Sequence, residues 1–228
     1  MFKEKLIKGL KWFFHSYIWV GILLLIVDIV SKNLIVNAMT MEGDIKIVIP
    51  GFLRFSYVIN RNAAFGFGPS DPAVSRILYI CFASVASIGI CVYYGFAHKK
   101  LPGYVKAALM IIVAGAIGNL IDRVAYSAEY LKAKAGYPGG VVDFIDFFWF
   151  WDYVFNIADC GVVIGAFMLA AYCIIDWIKD IKKQKAEEKA NPADNTKVLS
   201  ESEKRKLEEQ EKNKVEWWNI KLLLKKLI

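Results

Sequence analysis

The segment ILYICFASVASIGICVYYGFA, residues 77–97, carries no charged side chain and is long enough to cross a bilayer as a helix. Such a crossing takes about 20 mostly apolar residues, because backbone groups in lipid must be hydrogen-bonded within the spanning structure. The chain of 228 residues is 57% hydrophobic, with a mean hydropathy of +0.38. This apolar share predicts an integral membrane protein and excludes a disordered chain, a collagen-like fibre and a disulfide scaffold.

Three further segments have the same apolar character. The first of them is too long for the apolar region of a signal peptide and is followed by no small-residue cleavage site, so we interpret it as a retained span. The prediction is an all-α integral membrane protein with four transmembrane helices. Besides residues 77–97, the spans are the stretch WFFHSYIWVGILLLIVDIVS between Lys11 and Lys32, about Val105 to Ile121, and about Phe155 to Ile178.

Basic residues set the orientation of the spans. Lysines cluster before the first span, between the second and third, and after the fourth, which places both termini in the cytoplasm. Segments of about residues 37–73 and 124–154 then lie on the outer side, where their length makes them candidates for function. Residues 45–59 are rich in β-branched and aromatic side chains and are broken at Pro50 and Gly51, which predicts a small extracytoplasmic β element.

The composition changes after residue 178. Residues 179–228 contain 14 Lys or Arg and 10 Asp or Glu, and we interpret them as a charged, helical cytoplasmic extension without a catalytic part. Residues 1–178 form the predicted four-helix membrane domain.

The cysteines and histidines predict neither a metal site nor a cofactor. The cysteines lie within apolar runs without metal-ligand spacing, and the two histidines lie at the ends of such runs. These residues are Cys81, Cys91, Cys160, Cys173, His15 and His98.

Four aspartates on separate segments are predicted to meet at the outer membrane boundary. Charged groups at such depth are expensive and are functional candidates by default. Ion pairs with Lys32 and Arg123 offer a structural explanation for two of them, and a helix cap explains a third. The four are Asp28, beside Lys32 at i, i+4; Asp122, beside Arg123; Asp143, in the outer loop that joins the third and fourth spans; and Asp159, at the start of the fourth span.

Asp143 and Asp159 have no basic neighbour in the sequence and are the better candidates for chemistry. Two carboxylates that approach closely share a proton, so one takes a proton from water while the other donates to a carbonyl oxygen. This is amide hydrolysis of the aspartic-peptidase type. Paired acids also serve as proton relays and ion sites, so a small ion- or proton-translocating protein is the alternative, and a non-catalytic membrane scaffold is a third reading.

Five motifs, in order along the chain, resemble those of the lipoprotein signal peptidases, also called signal peptidase II. The resemblance covers about residues 20–178. Its motifs are Val27–Lys32 (VDIVSK), Asn60–Gly66 (NRNAAFG), Gly115–Arg123 (GAIGNLIDR), Val141–Ile145 (VVDFI) and Phe155–Asp159 (FNIAD). Asn62 stands where the family usually has glycine, and Cys160 stands where a serine is common.

The resemblance implies a membrane aspartic endopeptidase that needs no cofactor or metal. It implies that Asp143 and Asp159 are the catalytic pair and that the enzyme cuts prolipoproteins before a cysteine carrying a diacylglyceryl group. The other implied site residues bind substrate or support the geometry; they are Asn60, Asn119, Arg123, Asn156, Asp122, Asp28 and Lys32.

The implied setting is the bacterial cytoplasmic (inner) membrane, with the active site on its extracytoplasmic side. The expected partners are the diacylglyceryl-modified prolipoprotein and membrane lipids. We expect a monomer that binds no nucleic acid. Residues 45–59 are expected to form a cradle along the membrane, and residues 124–142 a flap over the substrate.

Overall fold

The structure, a computed structural model, describes residues 2–61, 71–127, 129–133 and 139–190. By its internal contacts the chain divides into Met1–Tyr172 and Cys173–Ile228, and the site described below lies in the first unit. The helices are α1 (Phe2–Ser16), α2 (Ile18–Ala38), α3 (Pro72–Ala97), α4 (Gly103–Ala125) and α5 (Ile157–Ala190). The strands are β1 (Ile45–Ile49), β2 (Leu53–Asn60), β3 (Val141–Asp146) and β4 (Val154–Phe155).

The predicted architecture of four membrane helices and a small sheet is confirmed. Within the described residues, four helices are long and apolar enough to cross a membrane: Ile18–Ala38, Ala73–Ala97, Gly103–Ala125 and Ile157–Glu187. Of the predicted charged extension, residues 179–190 are the last part of α5, and the remainder lies outside the described residues.

The predicted bounds of the first span are wrong at both ends. Tyr17 adopts a left-handed backbone conformation with φ 59°, which ends α1 and lets α2 begin as a separate helix at Ile18. At the other end α2 continues past Lys32 to Ala38, because the Lys32 side chain is fully buried between carboxylates rather than lying in water. A lysine in the sequence therefore does not mark the end of this span.

Helix α3 begins five residues before its predicted start at Ile77. The Asp71 side chain caps the helix, with one oxygen accepting hydrogen bonds from the N–H groups of Ala73 and Val74 at 2.8 and 3.4 Å. Pro72 follows in the first turn, where its missing N–H costs nothing. The cap and the proline define a sharp start on the outer side of the predicted topology.

The sheet is larger than predicted. The hairpin of β1 and β2 was expected, but β2 also pairs antiparallel with β3, and β3 with β4, so the order is β1-β2-β3-β4. Asp143, which the sequence predicted in a loop, therefore lies on the inner strand β3 opposite Val58. Most of β3 is buried, so it lacks the alternation of apolar and polar side chains that reveals a half-exposed strand.

A hydrophobic core joins the sheet to the end of α2. It consists of Ile35, Val36 and Met39 from α2, Tyr57 and Ile59 from β2, Leu131, and Val142 and Phe144 from β3. The Tyr57 hydroxyl donates a hydrogen bond to the Leu131 carbonyl at the centre of this core. The core fixes β2 and β3, the strands that carry Asn60 and Asp143, relative to the helices.

Candidate active site

Asp143 and Asp159 line one cleft of about 630 Å³. Asp143 is supplied by β3, and Asp159 by the first turn of α5. Asn60, Asn119 and Arg123 line the same cleft. The structure thus brings together residues that are far apart in the sequence, as the five motifs led us to expect.

Two amides hold the Asp143 carboxyl. Asn60 Nδ2 donates to Asp143 Oδ2 at 2.9 Å, and Asn156 Nδ2 donates to Asp143 Oδ1 at 2.6 Å. Burial raises the pKa of Asp143 well above its usual range, and the nearby charge of Asp159 raises it further. Asp143 is therefore suited to hold a proton at a pH at which an exposed aspartate is ionised.

Asp159 is fixed by a capping box at the start of α5. Its Oδ2 accepts a hydrogen bond from the Asn156 N–H at 3.2 Å, while Asn156 Oδ1 accepts one from the Asp159 N–H at 2.8 Å. Asn119 Nδ2 donates to the other carboxylate oxygen, Oδ1, at 2.7 Å. The sequence offered helix capping and a role in chemistry as alternatives for Asp159. In the structure the same side chain caps α5 and lines the cleft.

Asn156 connects the two aspartates. Its side-chain oxygen, Oδ1, accepts the capping-box hydrogen bond from the Asp159 N–H. Its Nδ2 donates both to Asp143 Oδ1 and to Asn119 Oδ1, the latter at 3.0 Å. The side chain is fully buried. One buried side-chain amide therefore contacts both the Asp143 carboxyl group and the backbone N–H of Asp159.

Behind the aspartate pair lies a buried ionic triad formed by Asp28, Lys32 and Asp122. Lys32 Nζ lies 2.8 Å from Asp28 Oδ2 and 3.0 Å from Asp122 Oδ2, and each of the three side chains is at most 1% exposed. The predicted Asp28–Lys32 pair is confirmed. For Asp122 the adjacent Arg123 was the expected partner, but its salt bridge is to Lys32, which the fold brings from α2.

The triad also contacts the segments that carry the aspartate pair. Asp28 Oδ1 accepts a hydrogen bond from the N–H of Ala158 at 2.8 Å, and Asp122 Oδ2 accepts one from the N–H of Val142 at 3.1 Å. Each N–H belongs to the residue directly before Asp159 or Asp143. Lys32 Nζ further donates to Asn119 Oδ1 at 2.9 Å. Lys32 thus binds both Asp28 and Asp122, the two carboxylates that hold the backbone next to Asp159 and Asp143.

Arg123 supplies the positive charge on the cleft wall. Its guanidinium lies over the Tyr79 ring, 5.2 Å from the centroid, and its Nη1 donates to the Asn119 carbonyl at 3.2 Å. Arg76 Nε donates to the Arg123 carbonyl at 2.6 Å and fixes the end of α4. The guanidinium is thereby held beside the aspartate pair.

Sequence reasoning missed the apolar walls of the cleft. They include Tyr79, Phe82 and Ala83 from α3, Ala116 from α4, and Val162 and Val163 from α5. In the sequence these residues belong to uniformly apolar spans, so nothing separates a cleft-facing side chain from a lipid-facing one.

Some predicted features fall outside the described residues. These are Asn62 and the rest of the second motif to Gly66, together with residues 128 and 134–138 of the predicted flap. Among the residues that the structure describes, no group of three His, Cys, Asp or Glu side chains is placed to hold a metal ion.

Comparison with known proteins agrees with this geometry. The family model for signal peptidase (SPase) II matches residues 20–175. The lipoprotein signal peptidase of Pseudoalteromonas translucida is 37% identical over 166 residues, which is 71% of this chain and 86% of that protein. The lipoprotein signal peptidase of Clostridioides difficile is 35% identical over 158 residues, covering 69% of this chain and 94% of that protein.

The fold has solved counterparts. A bacterial membrane enzyme determined by the in meso method at 2.3 Å resolution superimposes with a TM-score of 0.57 and 30% identity, covering 73% of this chain and 89% of that one. A second such structure, at 1.9 Å, gives a TM-score of 0.55 and 29% identity over 69% and 92% of the two chains. The fold and site therefore define a multi-pass bacterial membrane peptidase. The chain belongs to the signal peptidase II family.

Proposed function

We propose that this protein removes the signal peptide from diacylglyceryl-modified prolipoproteins, cutting the peptide bond before the lipidated cysteine, with Asp143 and Asp159 as its catalytic pair. The observation that carries the proposal is the meeting of these two carboxyl groups in one cleft, where each accepts a hydrogen bond from an asparagine side chain. The names of the relatives, lipoprotein signal peptidase, support the substrate class.

The proposed reaction is hydrolysis by water without a covalent intermediate. With one proton shared by the pair, the ionised carboxylate takes a proton from water and the water oxygen attacks the scissile carbonyl carbon. The protonated carboxyl donates its proton to the carbonyl oxygen. The C–N bond then breaks as the leaving amine takes up the proton that the base took from water, and a hydroxyl of the tetrahedral intermediate returns its proton to the other carboxylate. The signal peptide leaves with a new carboxyl terminus, and the pair again holds one proton.

The raised pKa of Asp143 supports its assignment as the group that holds the proton at the start. Burial and the charge of Asp159 both favour the neutral form of Asp143. Both carboxyl groups accept hydrogen bonds at both oxygens, but Asp143 is only 2% exposed whereas Asp159 is half-buried, so the ionised form is assigned to Asp159. In this assignment Asp159 is the base toward water and Asp143 is the acid toward the carbonyl.

The proposed supporting roles follow from the contacts. Asn60 and Asn156 orient Asp143, and Asn119 orients Asp159. Arg123 offers a cation to substrate carbonyl oxygens near the pair. Three further residues act as positioning residues through the backbone before each aspartate; they are Asp28, Lys32 and Asp122.

The cleft suits a lipidated peptide. Polar groups lie beside the aspartate pair, and the neighbouring walls from Tyr79, Phe82 and Val163 are apolar. An acyl chain and an apolar signal peptide bind such walls, while the scissile peptide lies against the polar groups. In the proposed topology the cleft opens on the extracytoplasmic side of the inner membrane, both termini are cytoplasmic, and the protein acts as a monomer.

The alternative of an ion or proton path fits the geometry less well. Such a path requires carboxylates that an ion can reach and leave in sequence through the membrane. Asp28 and Asp122 instead share the ammonium group of Lys32 and bind backbone N–H groups. The negative charges of Asp28 and Asp122 are therefore already balanced by Lys32 and by backbone N–H groups, so these carboxylates do not offer free sites to an ion.

The proposal is tested with the full-length protein in detergent and a prolipoprotein peptide prepared with and without the diacylglyceryl group on its cysteine. We expect cleavage of the lipidated peptide alone, with the new amino terminus at the modified cysteine. Cleavage of both forms at equal rates would refute the substrate class. Failure to cut the lipidated form by folded protein would refute the peptidase function.

A further inference from the structure

Helix α1 precedes the residues matched by the family and has no role in the proposed reaction. Its sequence, FKEKLIKGLKWFFHS, is amphipathic. Leu6, Leu10 and Phe13 recur at helical spacing along one side, whereas Lys8 and Lys11 lie on the other. The helix carries four lysines against one glutamate, and three of the lysines, Lys5, Lys8 and Lys11, lie away from the leucine side, which makes the polar side positive.

The apolar side of α1 is uncovered in the described structure. Leu6 is 59% exposed and Leu10 is 56% exposed, and Ile7 and Phe14 are exposed as well. The spanning helices also expose large apolar side chains, but on α1 they are combined with a lysine-bearing side, which is costly inside the hydrocarbon region and typical of a helix at the membrane surface. The exposed side therefore needs an apolar surface outside the described residues.

The helix leaves the bundle at a fixed corner. Tyr17 has a left-handed backbone at φ 59°, and its ring lies against Gly103, where a side chain would meet the tyrosine hydroxyl. The Tyr94 hydroxyl donates a hydrogen bond to the Ser16 carbonyl, and Ser16 is buried. The corner is thus held by α3 and by the start of α4, and α1 does not continue the axis of α2.

The corner lies one residue from a membrane span and carries aromatic side chains. Trp19 Nε1 donates to the Phe14 carbonyl at 3.3 Å, and the two rings are 6.2 Å apart. Tryptophan and its aromatic neighbours favour the boundary between lipid and water. The C-terminal end of α1, which adjoins this corner, accordingly lies at the level of the lipid headgroups.

We propose that α1 lies on the cytoplasmic membrane surface, with its leucine side in the acyl–headgroup boundary and its lysines bound to anionic lipid headgroups. The apolar side explains the exposure of Leu6 and Leu10, and the four lysines match a leaflet of negative surface potential. The partner is a lipid surface rather than a protein, because both properties belong to one helix attached directly to a span. This inference is independent of the peptidase activity.

The test is hydrogen exchange of the full chain in nanodiscs, one copy per disc, made of either zwitterionic lipid or a mixture with phosphatidylglycerol. We expect the α1 amides to exchange roughly tenfold more slowly in the anionic discs at low ionic strength, and added salt to remove that difference. Amides of α4 serve as an internal reference for an intact fold. The measurement needs no substrate.

Two pairs of variants separate the contributions. Replacing both Lys8 and Lys11 by Gln should return α1 exchange in anionic discs toward its rate in neutral discs, whereas replacing both by Arg should keep the protection. Replacing both Leu6 and Leu10 by Gln should remove protection in both discs, whereas replacing both by Met should keep it.

Three results would overturn the proposal. The first is equal exchange of α1 in the two lipids. The second is protection that survives Gln at both Leu6 and Leu10. The third is protection that appears only when two copies share a disc, which would assign this side of α1 to a second copy of the chain.

Discussion

Replacing Lys32 by Met tests the buried triad most sharply. Lys32 Nζ lies within 3.0 Å of Asp28, Asp122 and Asn119, and neither the lysine nor the two carboxylates are accessible to solvent. Methionine has a similar length but no charge, so the substitution leaves two buried carboxylates without a counterion. Removing one partner of a buried ion pair costs about 3–5 kcal/mol.

We expect the free energy of unfolding to fall by about 4 kcal/mol in the Lys32→Met variant. For a chain of this size that corresponds to a loss of about 8–16 °C in Tm. Because the Ala158 and Val142 N–H groups lose firm anchors, kcat should fall by about a hundredfold or more, with a smaller change in KM. The assays are thermal unfolding by tryptophan fluorescence and cleavage of the lipidated peptide.

Two control variants make the result interpretable. Lys99→Met removes an exposed lysine and should leave Tm within about 2 °C of wild type. Combining Lys32→Met with Asn at both Asp28 and Asp122 removes the uncompensated charges while keeping acceptor oxygens, so stability should recover in large part. The reasoning is refuted if Lys32→Met is as stable as Lys99→Met, or if the triple variant is no more stable than Lys32→Met alone.

Three further predictions concern packing, titration and the charged extension. Gly118→Ala brings a Cβ to 2.5 Å from Asp28 Oδ2 and should cost about 1–3 kcal/mol with loss of cleavage. Gly95→Ala in α3 meets open space, so it should keep cleavage and leave stability equal or up to about 1 kcal/mol higher; equal behaviour of the two variants would contradict the packing. Because the pKa of Asp143 is raised in the folded state, its contribution to stability is lost as pH rises above the unfolded pKa of about 4. The Tm of wild type should therefore fall relative to that of Asp143→Asn as pH rises above about 4, and a constant difference would argue against the raised pKa. Deleting residues 191–228 should leave kcat/KM unchanged, since the residues that line the cleft all precede residue 164, and a large loss with normal membrane insertion would give that segment a catalytic role.

Features that depend on local sequence were predictable. The hydropathy of the sequence predicted the four spans, and the β-branched residues around Pro50 and Gly51 predicted the first hairpin. The Asp28–Lys32 pair followed from one turn of helix. In each case the residues that decide the structure are neighbours in the chain.

Features that depend on distant contacts were not predictable. Strand β3 exists because β2 offers it a partner more than 80 residues earlier, and its burial hides the strand pattern. The salt bridge of Asp122 to Lys32 requires α2 and α4 to pack side by side, which the adjacent Arg123 obscured. The anchoring of backbone N–H groups by the triad likewise appears only when four segments meet, namely α2, α4, α5 and β3.

The measurement that tests the central claim most directly compares single-turnover cleavage of the lipidated peptide by wild type and by Asp143→Asn, Asp159→Asn and Asp152→Asn. Asp152 lines the same cleft but is exposed, so it is the matched control. We predict that Asn at either member of the pair lowers the rate by about a thousandfold or more in folded protein, and that Asp152→Asn stays within about threefold of wild type. Near-normal cleavage by Asp143→Asn or Asp159→Asn would contradict the proposed mechanism.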